Sequence, residues 1–167
     1  MRLPLALTAA AITVAAAVNA TACARANPEP PPPGPAQTTP PQAGSACPDP
    51  FDGAMTRAQQ ILFRCNNGIW EQFHDPYPSS DRWLTTGPEL VVHGQGRRNP
   101  EVKGGSWTGS PQTAEARCGA ELVDVVGAGE TSAPETLSAE PGQTLTFDIS
   151  DHMFTVTLSG YCLWQRG

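Results

Sequence analysis

Positive charge is scarce in this sequence, and lysine is almost absent. The 167 residues include ten lysine and arginine side chains against sixteen acidic ones, and Lys103 is the single lysine. Arg97 and Arg98 are the only adjacent pair of cations. Because binding to a phosphate backbone depends on clustered Lys and Arg, this composition argues against nucleic acid as a partner.

The sequence also lacks an apolar run long enough to span a bilayer as a helix. Its longest candidate, Leu3–Val18, is about 16 residues long, short of the roughly 20 that a spanning helix needs. It follows Met1-Arg2, which supplies one positive charge. A short apolar run after such a start is typical of a signal peptide, which we assign to residues 1–22. We therefore expect the chain to be exported.

Cysteine is limited to five residues, and Cys23 stands apart from the other four. It ends the apolar run at Ala20-Thr21-Ala22-Cys23, where a bacterial lipoprotein signal has its acylated cysteine. Lipidation of Cys23 would leave an even number of cysteines for disulfides. The alternative is ordinary cleavage after Ala26, which would release a secreted protein starting at Asn27. We predict the lipid anchor, with the protein on the extracytoplasmic face of the cell membrane.

Residues 23–46 are predicted to form a disordered, proline-rich linker. Eight prolines fall between Pro28 and Pro41, among Gly, Ala, Gln and Thr. Such a segment buries too little apolar area to offset its ordering entropy, and its prolines favour the extended polyproline II conformation. At about 3.1 Å per residue, the roughly 20 residues from Asn27 to Ser45 would hold the domain at most about 60 Å from the membrane.

Residues 47–167 are predicted to form one mainly β domain, a small antiparallel sandwich or sheet with one short N-terminal helix and two disulfides. Alternation with period two marks Leu145–Ile149 and Phe154–Leu158 as a pair of half-buried antiparallel strands. Apolar runs at Leu90–His93 and within Ala116–Val126 predict further strands. A domain of this size buries a modest core, to which disulfides would add stability.

The start of this domain has two conflicting signals. Apolar residues from Phe51 to Leu62 follow helical spacing, and Asp49-Pro50 suits the start of a helix. Asn67-Gly68, between apolar runs, is a strong indication of a hairpin turn, although Gly68 would also suit a helix C-terminus. We predict a helix that ends near Gln60, followed by a short hairpin.

Four features of the C-terminal sequence occur together: Cys118, the strand Gly142–Phe147, Asp151 with Phe154, and the ending Cys162–Arg166. In these features the chain resembles a small disulfide-stapled β-domain of exported actinobacterial proteins and lipoproteins of mycobacterial type. The resemblance implies a disulfide between Cys118 and Cys162, which leaves Cys47 and Cys65 as the second pair. It implies no catalytic activity and no defined ligand.

Recognisable catalytic and metal-binding patterns are missing. His74, His93 and His152 lie in different segments without ligand spacing, and no serine stands in a Gly-x-Ser-x-Gly elbow. Carboxylates for acid–base chemistry would have to come from scattered residues such as Glu71 and Asp75. We therefore predict no cofactor, no metal and no enzymatic activity.

Aromatic residues cluster in one segment, where Trp70, Phe73, Tyr77 and Trp83 fall within 14 residues. Aromatic side chains stack on sugars or anchor protein interfaces, so Trp70, Tyr77 and Trp83 are the candidate binding residues. The alternative is that the tryptophans fill the core. We prefer a non-catalytic envelope lipoprotein that binds an envelope protein or glycan. The other function left open is a cell-wall polymer-acting enzyme or carbohydrate-binding accessory protein.

Overall fold

The computed structural model describes residues 39–167, so the predicted signal peptide, Cys23 and most of the predicted linker lie outside the described residues. Within this range no helix is long and apolar enough to cross a membrane. A short 3₁₀ helix, Asp49–Phe51, precedes ten strands. The strands are β1 (Met55–Ala58), β2 (Ile61–Asn66), β3 (Ile69–Gln72), β4 (Arg82–His93), β5 (Gly105–Pro111), β6 (Gly119–Gly127), β7 (Glu130–Thr131), β8 (Glu135–Ser138), β9 (Leu145–Ile149) and β10 (Met153–Arg166).

The last strand, β10, is the centre of the sheet. It pairs antiparallel with β4, from Thr155 opposite His93 to Gln165 opposite Arg82. On its other edge, β10 pairs first with β6 and then, past Gly160, with β5. Because β5 continues to β9 whereas β6 continues to β7 and β8, the sheet divides into two branches on this side.

Gly160 lies where β10 changes partners. Its φ is +87°, and a Cβ atom there would be 2.0 Å from the carbonyl oxygen of Arg117. The register between β10 and β4 also shifts between Leu158 and Gly160. Glycine adopts a positive φ without steric cost and leaves room for the neighbouring backbone. The change of partner strand from β6 to β5 therefore depends on this residue.

On the far side of β4, three strands form an antiparallel meander in the order β1, β2, β3. The meander joins the rest of the sheet where Met55 of β1 pairs with Trp83 of β4 in parallel orientation. The mainly β fold is therefore confirmed, but the sheet is mixed rather than purely antiparallel. Each of two disulfides joins a strand, β2 or β10, to a segment outside the strands.

The N-terminal helix that we predicted is not found among the described residues. The segment instead forms the β1–β2 hairpin, whose turn residues Gln59 and Gln60 have positive φ angles of 50° and 68°. Positive φ is unfavourable for glutamine, but at both positions it gives the two-residue turn the twist that the paired strands β1 and β2 require. The hairpin predicted at Asn67-Gly68 is present and joins β2 to β3.

The two strands with the clearest alternation are both present, but they do not pair with each other. β9 has the bounds predicted for it, and β10 extends past the predicted Leu158 to Arg166. β5 lies between β9 and the C-terminal half of β10 and pairs with both. The alternation identified the strands, whereas the partner of each strand depends on a distant segment.

Two hydrophobic clusters fill the interior, and each contains one disulfide. The larger cluster holds Trp83, Trp107 and Trp164 together with the Cys118–Cys162 bond. The smaller cluster lies at the meander and holds the Cys47–Cys65 bond. The Cα atoms are 6.0 Å apart in the Cys47–Cys65 pair and 5.8 Å apart in the other. This is the pairing that the resemblance implies.

Candidate binding groove

The segment that leads into the domain, residues 39–48, covers the outer edge of β3, and we call it the entry segment. The backbone N–H of Trp70 donates to the carbonyl of Ser45 at 2.8 Å, and Gly44 N–H donates to the carbonyl of Trp70 at 2.8 Å. Ala46 forms a further bridge with Ile69. Hydrogen bonds of this kind satisfy a strand edge that would otherwise be open. The last residues of the predicted linker therefore belong to the folded unit.

A groove of about 490 Å³ is lined by this entry segment and by strands β3, β4 and β10. The entry segment contributes prolines and hydroxyl groups, and Pro41 is buried. The lining residues from the other elements are Phe51, Trp70, Leu84, Thr86 and Tyr161. The groove thus combines aromatic and proline surfaces with a few polar groups.

Three aromatic residues from separate parts of the chain give the groove its character. Phe51 lies in the 3₁₀ helix, Trp70 in β3 and Tyr161 in β10. The rings of Phe51 and Tyr161 meet edge to face, with centroids 6.5 Å apart. Phe51 and Trp70 are buried, whereas Tyr161 is half-buried, and this burial raises the pKa of the Tyr161 hydroxyl.

Trp70 differs from the other three tryptophans in its hydrogen bonding. The indole N–H groups of Trp83, Trp107 and Trp164 donate to Ser80, Lys103 and Thr85, at 3.0 to 3.2 Å. Trp70 is only 4% exposed, yet its indole N–H has no partner among the described residues. The same holds for the hydroxyl of Tyr161 within this part of the chain. Two aromatic residues of the groove lining therefore carry unpaired donors.

The groove lining has no formal charge at neutral pH. Its residues include no Asp, Glu, Lys, Arg or His, and Tyr161 is its one titratable side chain. The described residues as a whole are acidic, with 8 cations (ten less Arg2 and Arg25) against 15 anions (sixteen less Glu29), or −7. The groove is thus a neutral surface on an acidic domain.

The structure separates the three residues that the sequence proposed as a binding cluster. Trp70 lines the groove, Trp83 is fully buried in the larger core cluster, and Tyr77 is 62% exposed in the loop before β4. They do not form one aromatic platform. Of the three, Trp70 alone contributes to the groove.

One buried carboxylate lies outside the groove. Glu101 accepts hydrogen bonds from the Arg57 guanidinium at 2.6 Å and the His93 backbone N–H at 3.0 Å, and its other contact is His93 Nδ1 at 3.1 Å. Glu71 and Asp75, the carboxylates singled out in the sequence, instead contact Asn66 and the backbone of Tyr77. The contacts of Glu101 with Arg57 and His93 connect the end of β4 to the loop that follows it.

The histidines are dispersed in the structure as they are in the sequence. His74 and His152 are exposed, and His93 contacts Glu101. Across residues 39–167, no three His, Cys, Asp or Glu side chains are placed to hold a metal ion together.

Sequence reasoning missed Phe51 and Tyr161, the other two aromatic residues of the groove. Clustering in the sequence indicates only aromatic residues that are close along the chain, whereas the fold brings together residues from three separate segments. Tyr161 lies between Gly160 and Cys162 in the sequence, but neither of these neighbours indicates an open groove.

Comparisons of the chain with family models, with characterised proteins and with solved structures give no match.

Proposed function

We propose that the protein is a non-catalytic lipoprotein of the cell envelope whose extracytoplasmic domain binds another envelope component through the groove. The observation that carries this proposal is the groove lining itself, which is neutral and aromatic and in which Trp70 and Tyr161 carry unpaired hydrogen-bond donors. Ligand sites are commonly apolar clefts with a small number of well-placed polar groups.

The same lining favours binding over catalysis. General acid–base chemistry requires titratable groups that converge on the substrate, and Tyr161 is the single titratable group in the groove. The buried carboxylate outside the groove, Glu101, is engaged in its own contacts with Arg57 and His93. Burial of Trp70 and Trp83 also leaves no exposed indole face for a polysaccharide to stack on.

Two separate features support the proposed location on the extracytoplasmic face of the membrane. The two disulfides are consistent with an extracytoplasmic compartment, where such bonds persist. The position of Cys23 after an apolar run supports attachment through a lipid at this residue. With the proline-rich segment between Cys23 and the domain, the groove would face the space outside the membrane.

Two experiments test the proposal. Intact mass spectrometry of the native protein should find a diacylated Cys23 at the N-terminus; a mature protein starting at Asn27 would rule out the anchor. Photo-crosslinking in whole envelopes, with a benzophenone side chain at position 161, should give discrete adducts. The same probe at exposed position 77 is the matched control, and equal adduct patterns would rule out the groove.

A further inference from the structure

We propose that the groove binds an uncharged, proline-rich extended segment of a partner envelope protein. This inference rests on the proposed function, because it names the class of component that the domain binds. It is carried by three properties of the lining: its unpaired donors, its lack of charge, and the limited exposure of its tryptophan.

The donors match what a proline-rich segment requires. A polyproline II helix has no internal hydrogen bonds, so its carbonyl oxygens need donors from a partner. It offers no backbone N–H at proline, so a groove that binds it needs donors rather than acceptors. The indole N–H of Trp70 and the hydroxyl of Tyr161 are such donors, and neither has a partner among the described residues.

The lack of charge selects for a neutral ligand. A lysine or glutamate placed against this lining would lose hydration without gaining an opposite charge, which is costly. Proline rings lose little conformational entropy on binding and pack against aromatic rings. A proline of the chain already lies in this groove, because Pro41 of the entry segment lines it and is buried.

The exposure of Trp70 argues for a peptide rather than a glycan. Sugars bind aromatic residues through an open ring face, whereas 96% of the Trp70 surface is covered, given its 4% exposure. Because Trp70 lines the groove with little exposed surface and an unpaired N–H, we assign it the role of a hydrogen-bond donor and not of a stacking platform. The half-buried Tyr161 provides the adjoining wall.

The test uses the full mature chain and decaproline as the probe, followed through the indole N–H signals by NMR. We expect a saturable shift of the Trp70 signal below about 1 mM peptide. Tyr161→Phe, which keeps the ring and removes the donor, should weaken binding about threefold to tenfold, the effect of one hydrogen bond. Trp70→Phe should do the same, and Tyr77→Phe, an equivalent loss at an exposed site, should not change binding.

Several outcomes would overturn the proposal. These are no saturable shift, equal binding of an alanine peptide of the same length, or equal weakening by Tyr77→Phe. A Trp70 shift with soluble peptidoglycan fragments but not with decaproline would assign the groove to a glycan. A Trp70 N–H already protected from exchange in the free monomer, with no response to decaproline, would assign it to the chain's own proline-rich segment. If the probe at position 161 still gives discrete crosslinks but decaproline does not bind, the groove binds a ligand other than a proline-rich segment. In that case this inference is wrong and the proposed function stands.

Discussion

Among single residues, Glu101 makes several contacts that the sequence alone did not indicate. Its carboxylate is 5% exposed and joins Arg57 of β1 to both the backbone and the side chain of His93. The backbone N–H groups of Glu101 and Val102 donate in turn to the carbonyl of His93, at 2.8 and 3.1 Å. A buried charge paired in this way fixes the loop after β4, and removing it leaves its partners unsatisfied.

Glu101→Gln should therefore lower the free energy of unfolding by about 1.5–3 kcal/mol, the range for hydrogen bonds to charged groups. The amide preserves the size of the side chain but loses the charge that Arg57 requires. Glu135→Gln, at an exposed position of β8, is the control and should change stability by less than about 0.5 kcal/mol. Urea unfolding measures the stability of both variants. A Glu101→Gln midpoint equal to that of the unchanged protein would contradict a stabilising role for Glu101.

His93 should make the stability depend on pH. Burial lowers the pKa of His93 below 6.5, and Arg97 and Arg57 lower it further, whereas Glu101 opposes the shift. The unfolded chain therefore binds a proton more readily than the folded one, so stability is retained above pH 6.5 and lost as the pH falls through the lowered pKa. His93→Gln should flatten this part of the stability profile. His74→Gln, at an exposed histidine, should leave the slope unchanged; an equal effect would contradict the assignment.

Among the elements, β10 depends on one glycine. Gly160→Ala should lower the free energy of unfolding by at least about 2 kcal/mol, because both a positive φ and a backbone clash oppose the new Cβ atom. Gly129→Ala is the matched control, since its φ is +80° but nothing lies within 4 Å of its Cβ position. It should cost about 1–2 kcal/mol, the effect of a positive φ alone. If thermal unfolding shows similar losses of stability for Gly160→Ala and Gly129→Ala, the backbone at Arg117 moves to make room for the new Cβ atom and the expected difference is wrong.

The elements also show which signals the sequence contained. Period-two alternation located β9 and the first half of β10, because one face of each packs on the core. The helical spacing from Phe51 to Leu62 misled because the segment pairs as the β1–β2 hairpin, with Gln59 and Gln60 at a positive φ that local preference disfavours. Of the groove, Trp70 was identified as an aromatic candidate. Phe51 and Tyr161 were not, because their proximity depends on pairings between distant strands.

At the scale of the whole molecule, the two disulfides hold different parts of the fold. The Cys118–Cys162 bond joins the loop before β6 to the middle of β10, where the two branches of the sheet separate. The Cys47–Cys65 bond joins the entry segment to β2, next to the wall of the groove. Loss of the first bond should therefore affect overall stability more, whereas loss of the second should also affect the groove.

Replacing each disulfide by a pair of alanines tests this division. The bonds close loops with sequence separations of 44 and 18 residues. Chain-entropy reasoning then gives losses of about 4 kcal/mol for Cys118–Cys162 and about 3 kcal/mol for Cys47–Cys65. All four cysteines are at most 3% exposed, so the cost of the cavities should be similar in the two variants. Urea unfolding should rank the variants in this order, and decaproline binding should weaken at native conditions in the Cys47/Cys65 variant alone. A reversed ranking would mean that contacts in the smaller cluster, rather than loop length, decide how much each bond stabilises the protein.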